Sequence, residues 1–262
     1  MGLFSKKTRK DLSADSLFRL VRSRFDCIDD SRSGKVDISL GNALMSAVAM
    51  FSLKGPSLLA FDECRCDPND NFRTIYGVDH VLSDTQMRAI LDTVDPDDLR
   101  PFFSDVLRRL QRGKALEPFV YLDKSYLLTF DGTTYYSSIK FHCPASLDKN
   151  HRGGGVTYSH QMFGATLVYP DLKEVIPLAP EPIINQDSHT KNDCERNAKH
   201  RWLKRFRQEH PHLPAIIVEN GLSANAPHSG QPSPAGHISA QRTVAISRSN
   251  AKTLNHFGTA LT

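Results

Sequence analysis

The sequence has no apolar run of bilayer length. Its longest uncharged apolar stretch, Ile38 to Leu53, is broken by Gly41, Asn42 and serines, and it is shorter than the ~20 residues a spanning helix needs. Cysteines are few and odd in number, at 27, 64, 66, 143 and 194. Their irregular spacing excludes a paired disulfide framework and suits a reducing interior. The basic cluster Lys6-Lys7-Thr8-Arg9-Lys10 leads into acidic residues with no apolar signal core behind it, so no secretory leader is expected. The expectation is a cytoplasmic, soluble chain with no membrane partner. Excess charge of one sign is also nearly absent: 33 basic against 29 acidic residues leave +4, too little to argue for nucleic acid by itself. Acidic residues are wholly missing from residues 229–262, which are rich in Ser, Thr, Ala and Gly. Such a segment buries too little apolar surface to offset its ordering entropy, and the reading there is a disordered tail.

What is present is core-forming. Of 262 residues, 39% are hydrophobic and 24% charged, enough for one large domain or two modest ones. Residues 1–115 read as all-helical. Leu17, Leu20, Val21 and Phe25 recur at helical spacing behind Ser13, a plausible cap. A second, more buried helix is predicted from Asn42 to Leu53, stopped by Gly55-Pro56. Ser83-Asp84-Thr85-Gln86 is a capping box opening a third helix. Asp95-Pro96-Asp97 opens a fourth, through Leu110, which ends in Arg and Lys where the helix dipole favours positive charge.

Near Glu117 the pattern changes. Tyr121 to Phe130 reads as a buried strand delivering Asp131 at its C-terminal end. Strands are predicted at Tyr158–Tyr169 and Glu174–Leu178. A helix follows, capped by Asn192 with Glu195 as box partner, that buries Cys194, Ala198, Trp202 and Phe206. A last strand is predicted at Ala215–Val218. Between Lys191 and His210, seven bases face three acids. Lys199, Arg201, Lys204 and Arg205 in this run are candidate phosphate contacts; the competing reading is an ordinary solvated helix face. His142, Cys143, His151 and His160 lack the tight ligand pair of a tetrahedral zinc site, and Cys64-Arg65-Cys66 has no matching second pair.

Several separated strings carry more than composition does. Phe130-Asp131-Gly132-Thr133, His151-Arg152-Gly153 and Tyr158-Ser159-His160-Gln161 are three of them. Others are Pro177-Leu178-Ala179-Pro180-Glu181-Pro182-Ile183, Gln186-Asp187, Lys191 to Ala198, and Gly221 to His228. Together with Phe51 to Leu59 and Ser83 to Arg88, they resemble bacterial insertion-sequence transposases of the DDE type over residues 15–228. The resemblance implies a fold class: an α/β, ribonuclease-H-like mixed sheet, incomplete here, behind an all-helical N-terminal domain. The implied boundaries are a helical domain at 1–115, a partial catalytic domain at 116–228, and an unrelated tail at 229–262.

In such enzymes three carboxylates hold two divalent ions that activate water or a DNA 3′-hydroxyl for strand cleavage and transfer, and oxygen ligands suit Mg²⁺. The resemblance implies Asp131 as the first catalytic and metal-binding carboxylate. The second falls at Asn220, whose amide brings no negative charge, while Glu219 is expected on the opposite strand face. The third would lie beyond His228, where no acid occurs. The expectation is therefore a transposase-family protein of DNA transposition and recombination, truncated and catalytically impaired, that binds Mg²⁺ weakly. Its partners would be transposon-end DNA and either its own copies or intact transposase. The alternative is a DNA-binding remnant without chemistry. Arg88 in a helix-turn-helix and His160 in a strand complete the candidate DNA contacts.

Overall fold

The computed structural model describes residues 10–33, 36–55, 57–63, 71–184, 191–220 and 244–246. The chain divides into two compact units, Met1–Ala115 and Leu116–Thr262.

The described elements of the first unit are helices: α1 (Ala14–Phe25), α2 (Leu40–Ser52), α3 (Leu58–Glu63), α4 (Asn71–Tyr76), α5 (Asp84–Leu91) and α6 (Arg100–Arg112). Local chemistry sets their starts. The Ser13 hydroxyl accepts from the Ser16 N–H, and the Ser39 hydroxyl from the Asn42 N–H, each satisfying a first-turn donor. The second cap starts α2 earlier than its apolar spacing suggests. Ser83 and Gln86 close the expected capping box on α5. The predicted fourth helix is two pieces. Asp95 caps a short 3₁₀ turn, Pro96–Leu99, and α6 follows with Pro101 in its first turn, where its missing N–H costs nothing.

Met45, Ala43, Ala49, Phe61, Val78, Leu82 and Met87 form the centre of this unit's core. The Asp105 carboxylate of α6, nearly buried, is gripped by Arg24 of α1 and by Arg108 one turn along, at 2.6 Å.

The second unit is built on a seven-stranded mixed sheet. Its elements are β1 (Tyr126–Ser138), β2 (Leu147–Asn150), β3 (Val156–Val168), β4 (Ile176–Pro177), β5 (Glu181–Ile183), α7 (Lys191–Glu209), β6 (Ala215–Asn220) and β7 (Val244–Ile246). The order is β2-β3-β1-β6-β7, with β4 and β5 also on β3. β1 and β3 form a long antiparallel hairpin, Leu127 opposite Val168 and Asp131 opposite Gly164. The far edge of β3 is covered in turn by β2, β5 and β4. On its other side β1 pairs in parallel with β6, Tyr126 opposite Ala215 and Thr129 opposite Val218. α7 makes the crossover that a parallel neighbour requires.

Three sequence expectations change here. β1 starts at Tyr126 rather than Tyr121, because Asp123 and Lys124 take left-handed backbone (φ 51° and 60°) that ends extended structure. It also runs on through the β-favouring Thr133-Thr134-Tyr135-Tyr136, which leaves Asp131 within the strand and not at its end. Val244–Ile246, inside the segment expected to be unstructured, pairs in parallel with Val218–Asn220. The other residues of 221–262 lie outside those described.

One irregularity shapes the hairpin. Thr134 faces Gln161 and Tyr136 faces His160, so Tyr135 is an extra residue on β1, a β-bulge.

Candidate functional site

Asp131 is exposed, midway along β1. Side chains alternate along a strand, and the two residues flanking Asp131 identify the helix-covered face. The Phe130 ring lies 5.0 Å from Trp202 of α7. A Cβ built on Gly132 would come within 2.6 Å of Glu195 Oε1, also on α7. Asp131 therefore projects from the face opposite α7. A larger residue at 132 would require the Glu195 side chain to move aside. Glu195 thus lies against the sheet. Asn192, its predicted cap partner, falls inside a helix that begins at Lys191, and its side chain, like that of Cys194, lies outside those described.

Parallel pairing sets the height of Asn220. Thr129 is level with Val218, the last pair of the β1–β6 ladder. Phe130 and Glu219 each lie one residue beyond that pair on their own strands, and Asp131 and Asn220 each lie two residues beyond it. The first and second expected ligand positions are thus equally far past the end of the ladder on neighbouring strands. Among the described residues, no three His, Cys, Asp or Glu side chains are grouped to hold a metal ion.

The basic run on α7 is used inward as well as outward. Glu181 of β5 is 2% exposed. One of its oxygens accepts from Arg201 Nε at 3.0 Å and the other from Arg205 Nη1 at 3.4 Å. Arg201 also donates to the Pro182 carbonyl at 2.8 Å, and Trp202 Nε1 donates to the Ala179 carbonyl at 2.8 Å. Lys199 is buried with its ammonium over the Phe130 ring, 5.7 Å from the centroid, a favourable cation–π placement. Of the four α7 bases expected at phosphate, Lys204 is exposed, while Lys199, Arg201 and Arg205 hold the helix to the sheet. The physical reason is Glu181, a buried carboxylate that must be paired. Its signal in the sequence is an acid flanked by prolines in an otherwise apolar string.

The remaining candidates are placed separately. Arg88 is two-thirds exposed and pairs with Asp84 one turn back at 2.7 Å, which raises its pKa. His160 lies four residues along β3 from Gly164, the partner of Asp131; at ~3.3 Å per residue that is about 13 Å. It belongs to a different cluster, with Cys143 and Ser146. Nor do the other two histidines weighed for zinc join that cluster: His142 packs on Tyr158, with centroids 4.4 Å apart, and His151 Nε2 lies 2.7 Å from Thr157 Oγ1.

No family model, curated protein or solved structure matches this chain.

Proposed function

We propose that this chain is a transposase-family protein of the DDE type, with a ribonuclease-H-like second unit, that engages DNA and has impaired cleavage chemistry. The observation that carries the reading is the strand arrangement around Asp131. A long hairpin, β1–β3, continues through a helical crossover into a parallel strand beside β1, and β7 adds a further parallel strand. This arrangement supports a ribonuclease-H-like architecture, and the reading is supported further by Asp131 and Asn220 each lying two residues past the last β1–β6 pair.

The residues present do not fit a pair of Mg²⁺ ions. Two divalent cations need several negative oxygen ligands. Asn220 is neutral, and Asp131 belongs to no group of three potential ligands among the described residues. The impaired reading follows from that deficit, and no metal-dependent step is assigned to this chain. Its supported role is DNA occupancy, with Lys204 an exposed base of α7 and Arg88 available on α5 if Asp84 releases it.

Two measurements on the full chain separate the parts of this reading. Retention of linear double-stranded DNA should weaken steeply with salt, as counterion release requires; no retention at low salt refutes DNA engagement. Incubation of DNA with the chain in Mg²⁺ or Mn²⁺ should give no strand cleavage above background. Turnover that disappears in Asp131→Ala refutes the impairment.

A further inference from the structure

At the outer end of the β1–β3 hairpin, away from Asp131, a thiol, an imidazole and a hydroxyl converge. Cys143-Pro144-Ala145-Ser146 forms a turn closed by the Ser146 N–H donating to the Cys143 carbonyl at 3.0 Å. Pro144 at its second position pre-sets the φ such a turn uses. The Ser146 hydroxyl, 4% exposed as a residue, accepts from the Cys143 N–H at 3.0 Å and fixes the turn from inside. The turn leads into β2, whose pairing of Leu147 with Ser159 brings Ser146 level with His160.

The imidazole is therefore delivered by β3 and the thiol by the turn. Cys143 Sγ lies 3.5 Å from His160 Nε2, and Ser146 Oγ lies 3.2 Å from the same nitrogen and 3.6 Å from the sulfur. The β-bulge brings two consecutive tyrosines to the ring. Tyr135 stacks at 6.0 Å between centroids, and Tyr136 lies at 5.7 Å. Cys143 itself is exposed and free. An accessible thiol in contact with a base, the base contacted by a third polar group and restrained by aromatic neighbours, is the arrangement that activates a sulfur nucleophile.

We propose that Cys143 is a modification site whose nucleophilicity is supplied by His160, and that its chemical partners are small hydroperoxides. His160 Nε2 accepts the thiol proton as the sulfur attacks one peroxide oxygen. The S–O bond forms as the O–O bond breaks, and the departing hydroxide of hydrogen peroxide, or alkoxide of an organic hydroperoxide, takes the proton from the imidazolium. The products are a cysteine sulfenic acid and water or the corresponding alcohol, the sulfur losing two electrons and the peroxide gaining them. This reaction is independent of DNA engagement and uses none of the residues assigned to it apart from His160, whose place in this cluster is better defined than any phosphate contact.

The chain carries its own reference. Cys27, just beyond α1, is also exposed and free, and no imidazole contact to it occurs among the described residues. The full-length protein would be treated with hydrogen peroxide at pH 7 in the presence of dimedone, and labelling of each cysteine followed by peptide mass spectrometry. Positioned bases contribute of order 10²–10⁴-fold; in this exposed setting Cys143 should be labelled at least about tenfold faster than Cys27. His160→Gln should bring Cys143 down to the Cys27 rate and leave Cys27 unchanged. Equal rates for the two cysteines in the wild-type chain overturn the proposal, and that comparison needs no variant to fold. An unchanged Cys143 rate in a folded His160→Gln protein overturns it as well.

Discussion

Removal of the Glu181 carboxylate tests the second unit at its most exacting point. Glu181 is 2% exposed, with each oxygen taken by a different arginine of α7. In Glu181→Ala, Arg201 and Arg205 lose their shared anion, and β5 loses its ionic tie to the helix. Breaking one side of a buried pair costs about 3–5 kcal/mol. The arginine side chains remain 30% and 34% exposed, so water recovers part of their solvation, and the low end, about 3 kcal/mol, applies. At roughly 4 °C per kcal/mol for a unit of this size, the midpoint should fall by about 12 °C. The chain's single tryptophan, Trp202, is 1% exposed on the same helix, so its fluorescence in a urea titration reports this unit directly. The paired variant Arg201→Ala, Glu181→Ala should be less destabilised than the sum of the singles by about 1 kcal/mol or more. A loss below about 1 kcal/mol in Glu181→Ala, or strict additivity in the cycle, refutes the clamp.

Other outcomes follow from individual sites. Ser83→Ala removes the hydroxyl that accepts from the Gln86 N–H, the side-chain half of the α5 capping box, and should cost about 1 kcal/mol in the first unit, read by far-UV circular dichroism, while the Trp202 transition stays in place. Met45→Ala empties a position 1% exposed in the helical core and should cost about 2–5 kcal/mol in the same transition. Asn220→Asp adds a carboxylate at the proposed second ligand position, two residues past the last β1–β6 pair as Asp131 is, and should raise Mn²⁺ affinity about tenfold by electron paramagnetic resonance; an unchanged affinity argues against the proposed ligand pair. Burial raises the Tyr126 phenol above its ordinary 10.0, with a smaller push from Glu117. The neutral form is the one the fold prefers, so this contribution is intact below pH 10 and is lost as pH rises through the folded-state value. Tyr126→Phe should flatten the alkaline limb of a stability profile.

Legibility in the sequence tracked how local the cause was. Ser13 and the Ser83–Gln86 box were readable because a cap is decided within four residues. The strands expected at Tyr158–Tyr169 and Ala215–Val218 were readable to within two residues of the observed Val156–Val168 and Ala215–Asn220. The start of β1 was not, because it depends on two left-handed residues, Asp123 and Lys124, that carry no turn glycine. β7 was hidden because three residues, Val244-Ala245-Ile246, are too few to show a period, and their pairing partner, Val218–Asn220, is remote in sequence. The inward use of Arg201 and Arg205 was invisible for a different reason. Charge runs record how many cations a helix carries and nothing of which ones meet a buried carboxylate twenty residues away. Asp131 and Asn220 were identified through resemblance; spacing alone does not reveal that their strands are parallel neighbours, which the β1–β6 pairing sets.

The extra residue at Tyr135 has a consequence for how this surface tolerates change. Substitution there alters one ring, whereas deletion would leave a regular ladder, because Thr134 already faces Gln161 and Tyr136 already faces His160. Tyr136 would keep its place opposite β3's imidazole, while the stacked ring of Tyr135 and the local bend of the strand would both be lost. The second ring on the imidazole thus exists only because one strand of the pair is a residue longer than the other.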